Sequence, residues 1–223
     1  MIMKNVELCL LNLAGRLDEP VDAFLPLFAP GRREAILRFK FNPDRNRTVW
    51  AELMARAVAA RRVGMDAADV VITRDGEGRP QCSVPGMFVS LSHSGPWAAC
   101  CVGGTECGVD VETRARGAGL DIARRFFLPS EHLRLKSMAE RGEDWESAFL
   151  RDWTIKESCL KCLGLNEWSG VDCEAVINGG GPIGGWNFVL PDGAVAGVCS
   201  AAGALPESIR ILHVEEIKEG VGI

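Results

Sequence analysis

An apolar run, WAACCV at 97–102, ends at Gly103 and Gly104 and is followed by GVDVE at 108–112. The run reads as a buried strand, and GVDVE as a second strand carrying acids at alternate positions. Upstream, VELCLLNLA at 5–13 reads as a first strand, followed by a short turn and the apolar segment FLPLF. Residues 31–38 and 44–63 read as helices, the second carrying Val49, Leu53, Met54, Ala57 and Val58 at helical spacing. A strand at 70–73 leads into the turn DGEGRP, and another at 88–91 ends at SHSGPW. Downstream, helices are expected over 119–126, 130–139 and 143–164, interrupted at Pro129 and Gly142. The rest reads as strands alternating with glycine turns: VDCEAVI, GGWNFVLPDGAVAGVCSAA and IRILHVEEI. The expected layout is α+β, helices laid against antiparallel sheet, with a lobe boundary near Gly103 to Glu106. That boundary gives lobes of residues 1–105 and 106–223.

A net charge of -5 argues against a general nucleic-acid binder, which needs surplus Lys and Arg to displace counterions. The charge is unevenly spread: residues 29–62 hold nine Arg or Lys against three acids, and residues 106–223 hold 12 against 19. An anionic small molecule held between a basic first half and a carboxylate-bearing second half suits this asymmetry, as does a solvated, Arg-rich helix face. The nine cysteines are odd in number and the histidines only three. Neither a disulfide framework nor a zinc finger fits, because the one CxxC, Cys159 and Cys162, has no second pair at finger spacing. The cysteines are expected to be small buried hydrophobes in a reducing compartment. The start lacks the pattern of a secretory signal and no stretch reaches transmembrane length without charge, so the expected location is the cytoplasm, away from any membrane.

Four constellations carry candidate chemistry. Asp110 and Glu112 are two apart on a strand and therefore share a face, where a hard cation such as magnesium would relieve their repulsion. An exposed strand face would give the same pattern. On the segment FLRDWTIKESCLKCLG, Trp153, Glu157 and Lys161 fall four apart on one helical stripe. They read either as a surface ion pair or as a third metal carboxylate with a lysine one turn away, poised for a phosphate. Ser92 and His93 stand at a strand end before a glycine turn; a hydrolase elbow of the GxSxG type is missing, and donation of hydrogen bonds to phosphate oxygens is the better use, with a satisfied structural histidine as the alternative. In GRP, Arg79 stands on a turn stiffened by Pro80, suited to a nucleotide edge or to plain exposure.

In order, FKFNPDRNRTVWAELMAR, GRP, VSLSHS, GVDVE, RRFFLPSEH and WTIKESCLKCLG resemble the motifs of 4'-phosphopantetheinyl transferases, in particular the large, monomeric surfactin-synthetase-activating class. With Arg32 they span residues 32–164. The resemblance implies two similar α+β lobes related by a pseudo-twofold axis, with coenzyme A and magnesium between them. It implies Asp110, Glu112 and Glu157 as metal ligands, Lys161 facing the pyrophosphate, and Ser92 and His93 holding coenzyme A phosphates, the histidine near the 3'-phosphate. Arg79 and Pro80 would border the adenine, Arg47 and Thr48 would line the nucleotide site, and Arg32 would reach its phosphate. Glu131 matches a recurrent acid that supports the site. Ala35 departs from members with a second basic residue there, leaving that contact missing or supplied by Arg33 or Arg38, and Ser90 replaces a common asparagine.

The implied reaction moves phosphopantetheine from coenzyme A to a serine of an acyl or peptidyl carrier protein and releases adenosine 3',5'-bisphosphate. Glu157 is the candidate base, directly or through a metal-bound water, with Lys161 and His93 holding the phosphates in line. A coenzyme A-binding module without catalysis and a magnesium-dependent nucleotide phosphatase are the alternatives.

Overall fold

A computed structural model of the chain describes residues 5–113, 119–165, 171–179, 183–201, 203 and 206–222. Helices and mostly antiparallel strands make an α+β protein that divides into two compact units, residues 1–106 with 206–223, and residues 107–205.

In the first unit, β1 (Val6–Asn12) pairs antiparallel with β5 (Trp97–Gly103), which pairs antiparallel with β4 (Phe88–Ser94). Every residue of β5 is buried, as its apolar run requires. Helix α1 (Pro30–Leu37) precedes the long helix α2 (Asn42–Val63), whose second residue is Pro43, tolerated in the first turn where its missing N–H has no helical partner. Val49, Leu53, Met54 and Val58 of α2 join Cys9, Leu11, Cys100 and Val102 of the sheet in one core cluster. Two short strands, β2 (Ile72–Arg74) and β3 (Pro80–Cys82), pair across the DGEGRP turn. The segment FLPLF lies largely in a short 3-10 turn, Asp22–Leu27.

In the second unit, β6 (Cys107–Glu112), β7 (Ile183–Val189) and β8 (Val195–Ala201) form an antiparallel sheet in the order β6-β8-β7. Helices α3 (Gly119–Phe126) and α4 (Pro129–Glu140) precede α5 (Trp145–Leu163), which lies on the sheet. Two glycines permit that approach. A Cβ at Gly108 would stand 1.9 Å from the carbonyl oxygen of Ser158, and one at Gly197 would stand 2.5 Å from that of Thr154. Cys159, Cys162, Cys173 and Cys199 fill the core between helix and sheet. All nine cysteines are free thiols and eight are buried.

Three readings of the sequence are corrected. VDCEAVI is not a strand: Asp172 accepts hydrogen bonds from Glu174 N (3.0 Å) and Ala175 N (3.1 Å) and caps α6 (Cys173–Ile177). IRILHVEEI is a strand only as far as Leu212. Glu216 reaches back to His213 N at 2.8 Å and starts α7 (Val214–Gly220), while β9 (Pro206–Leu212) precedes it. Finally, residues 206–223, assigned on sequence to the second lobe, belong with the first unit, because β9 pairs parallel with β1. Among the described residues no helix is long and apolar enough to cross a membrane.

Candidate active site

The carboxylates and the lysine of the second unit are brought together by β6 and α5. Gly108 faces α5, and strand alternation puts Asp110 and Glu112 on the same side. Asp110 is buried and Glu112 half-buried. From α5, Lys161 reaches back to β6: its Nζ lies 2.7 Å from Asp110 Oδ1 and 3.1 Å from the Val109 carbonyl oxygen. Lys161 therefore forms its ion pair with Asp110 rather than with Glu157, four residues before it. Burial pushes the Glu157 carboxyl above its usual range, and the negative charges of Asp110 and Glu112 push the same way, against Lys161. Four of the residues singled out from sequence thus share one electrostatic cluster.

That donor set fits a hard, oxygen-seeking cation in its chemistry: three carboxylates, with Glu157 held above its usual range by burial and by the charges of the other two. Among the described residues no three such side chains stand in an ion-holding arrangement, and Lys161 takes up one oxygen of Asp110. Trp153, expected on the same stripe, packs instead among aromatics, its ring centroid 5.8 Å from that of Phe149 and 6.3 Å from that of Phe127.

Behind this cluster lies a charged core that the sequence reading only touched. Glu131 accepts hydrogen bonds from Leu128 N (2.9 Å) and Cys173 N (3.1 Å), tying the start of α4 to that of α6. The Lys156 ammonium, 1% exposed, pairs with Glu131 Oε2 at 2.8 Å, donates to the Val171 carbonyl oxygen at 2.5 Å and lies 5.0 Å from the centre of the Phe127 ring. One turn earlier, Asp152 pairs with Arg134. Lys156 immediately precedes Glu157, so this buried network fixes the turn of α5 that presents the Glu157 carboxylate. Lys156 and Asp152 escaped the sequence reading because Lys and Asp are ordinarily surface residues on a helix.

In the first unit the expected nucleotide residues form two groups. Arg47, on α2, donates from Nη1 to the Gly95 carbonyl oxygen at 2.8 Å and pairs with Asp44, which fastens it to the turn after β4. That strand carries Ser92, half-buried, and His93, exposed, on opposite faces. Thr48 is buried beside Arg47 in sequence on the same helix. The second group gathers on Glu52 of α2, itself 1% exposed. Its Oε2 accepts from Arg32 Nε at 2.8 Å and from Arg74 Nη2 at 3.4 Å. Arg74 stands opposite Pro80 in the β2–β3 register, and its Nη1 lies 3.4 Å from the Gly78 carbonyl oxygen. Arg32 and the GRP turn, far apart in sequence, are thereby linked through Glu52 and Arg74, neither of which the sequence reading had selected. Arg79 pairs with Glu77, and its backbone N–H donates to Asp75 Oδ1 at 2.9 Å.

Comparison with known proteins identifies the family. Residues 106–184 match the 4'-phosphopantetheinyl transferase superfamily, and residues 19–103 match the 4'-phosphopantetheinyl transferase N-terminal family. The 4'-phosphopantetheinyl transferase Sfp of Bacillus subtilis is 27% identical over 216 residues, which cover 90% of this chain and 94% of that protein. A second Bacillus subtilis 4'-phosphopantetheinyl transferase is 32% identical over 64% of this chain and 63% of its own length. The 4'-phosphopantetheinyl transferase HetI of a Nostoc species is 30% identical over 66% of this chain and 65% of its own. The two matched families lie side by side along residues 19–184 and both describe 4'-phosphopantetheinyl transferases, and the chain belongs to the 4'-phosphopantetheinyl transferase superfamily.

Proposed function

We propose that the chain transfers 4'-phosphopantetheine from coenzyme A to a serine of an apo acyl or peptidyl carrier protein, with magnesium, and releases adenosine 3',5'-bisphosphate. The observation that carries this reading is the cluster of Asp110, Glu112 and Glu157 with Lys161, held together by the close approach of α5 to β6 at Gly108. Asp110, Glu112 and Glu157 would hold the metal. Bound there, magnesium supplies charge neutralisation for the pyrophosphate of coenzyme A.

The remaining work falls to this chain's own side chains. Lys161, anchored by Asp110 and the Val109 carbonyl, presents a point charge for a phosphate oxygen. Glu157 takes the proton of the carrier serine, directly or through a water; burial and the neighbouring carboxylates raise its proton affinity, and the cation it would also hold opposes that rise. The serine oxygen then bonds to the phosphorus nearest the pantetheine, and the bond from that phosphorus to the bridging oxygen breaks. His93 and Ser92 hold phosphates of the cosubstrate, Arg32 reaches a nucleotide phosphate, Arg47 and Thr48 line the nucleotide site, and Arg79 and Pro80 border the adenine. Glu131 supports the site through Lys156. The working form is a monomer in the cytoplasm, a reading in keeping with nine free thiols.

The test is the intact mass of an apo carrier protein after incubation with the enzyme, coenzyme A and magnesium, beside a carrier whose modified serine is alanine. Gain of one phosphopantetheine on the first and none on the second supports transfer. Steady release of bisphosphate without any carrier would replace the transferase by a phosphatase.

A further inference from the structure

We propose that Cys159 of α5 and Cys199 of β8 are a redox pair: under hydrogen peroxide they close to a disulfide that staples the site-bearing helix to its sheet, and in a reducing compartment they stand open as thiols. The inference goes beyond the transferase reading and stands on the geometry of the second unit alone.

The two Sγ atoms lie 2.7 Å apart. Non-bonded carbons settle about 3.5 to 4.0 Å apart and sulfur is larger, whereas a bonded sulfur pair stands at about 2.05 Å, so a small side-chain shift separates these thiols from a bond. The sequence places them this closely for a physical reason. Cys199 is flanked in register by Gly108 of β6 and Gly185 of β7, and the three share the face on which α5 lies. With no side chain on either neighbour, the helix backbone settles onto this row, and Cys199 supplies the side chain that meets it. Its Sγ lies 3.0 Å from Ser158 Oγ, beside the contact with Cys159. Cys159 stands midway between Glu157 and Lys161, and helical residues two apart do not face one another, so the bond would hold their helix without touching either side chain.

Both side chains are fully buried. The hydrogen bond with Cys199, and after it burial, hold the Cys159 thiol far above its usual range. Thiolate is therefore scarce and closure is slow, proceeding through local opening that admits a small neutral oxidant. One thiolate attacks an oxygen of hydrogen peroxide, the O–O bond breaks, and a sulfenic acid and hydroxide form. The second sulfur attacks the sulfenic sulfur, the S–O bond breaks, and water leaves, while the proton lost by the first thiol neutralises the hydroxide. Two thiols and one peroxide become one disulfide and two waters.

The test treats the whole chain with hydrogen peroxide for hours, removes the excess with catalase, unfolds it in urea with N-ethylmaleimide to cap the remaining thiols, and digests it with trypsin without reduction. Cleavage after Lys156 and Lys161 releases Glu157–Lys161, in which Cys159 is the sole cysteine. That peptide is expected joined to the one bearing Cys199 and freed by dithiothreitol. The ring closed is about 40 residues long, so the treated protein should melt about 5 to 10 °C higher than the untreated one. Cys199→Ala should show neither the joined peptide nor the rise, and Cys159→Ala serves the same purpose from the helix side. Recovery of Glu157–Lys161 wholly capped, or oxidised without a partner, overturns the proposal. So does a joined peptide that persists in Cys199→Ala, which would make Cys162 or Cys173 the partner. A bond that forms and leaves the melt where it was overturns the staple.

Discussion

Gly108 of β6 meets the Ser158 carbonyl oxygen of α5 so closely that a methyl group there would stand 1.9 Å from it. The helix backbone cannot yield that space without moving as a whole, and it carries Glu157 and Lys161. Gly108→Ala is therefore expected to destabilise the second unit by about 3 kcal/mol, at the upper end of what overpacking costs. A thermal melt should fall by about 10 °C. Gly76→Ala, where an added Cβ meets nothing within 4 Å, should leave the melt in place. An unchanged melt for Gly108→Ala would mean that α5 does not rest on β6 as described.

Asp152 makes stability depend on pH. Burial drives its pKa up to about 6, ahead of the opposing charge of Arg134; Glu131 adds to the rise and Lys156 opposes it. Desolvation wins because the Asp152 side chain is 10% exposed while that of Arg134 is 47% exposed and screened by water. The folded state thus holds a proton that the unfolded state releases near 3.8. Between about pH 4 and pH 6 the folded form binds more protons, so this group's contribution to stability falls as pH rises through that window, by on the order of 3 kcal/mol. Urea titrations at pH 4, 5, 6 and 7 should show the decline in the parent protein and a flatter curve in Asp152→Asn. Parallel curves would place the ionised carboxylate in a better-solvated setting.

Much of this was legible in the sequence because the relevant signals are local. Period-two alternation put Asp110 and Glu112 on one face, and helical spacing placed Glu157 and Lys161 one turn apart on α5. What escaped was contact between distant elements. The reason for glycine in GVDVE is a helix carbonyl fifty residues later, and the partner of Lys161 proved to be Asp110 on the strand beneath α5. Glu52 reads as one more polar residue of a long helix until two arginines from other elements meet it. VDCEAVI failed for a different reason: its apolar positions suit either period over so short a run, and only the cap by Asp172 decides.

Lys156 and Glu131 should behave as one unit. Removing only the lysine charge, as in Lys156→Met, leaves the buried Glu131 carboxylate without its cation, and is expected to cost about 3 to 5 kcal/mol. Adding Glu131→Gln removes the stranded charge, so the double variant should recover part of that loss in chemical denaturation. Additive losses would show that the two residues stabilise the fold independently.

Glu157→Gln separates a base from a packing group, since the amide keeps the size of the side chain and loses its ability to take a proton. On the proposed chemistry kcat for carrier modification drops by about 10²- to 10⁴-fold, the usual contribution of a positioned general base. Lys161 keeps its pairing with Asp110 in this variant, so calorimetric affinity for adenosine 3',5'-bisphosphate should change little. Chelation of divalent metal with EDTA should stop the parent enzyme and added magnesium restore it, because the three carboxylates are the oxygen donors proposed for the ion. Retention of carrier modification by Glu157→Gln at near-parental rate would move the proton acceptor to another group. A rate that magnesium neither supports nor restores would leave Asp110 as the partner of Lys161 alone.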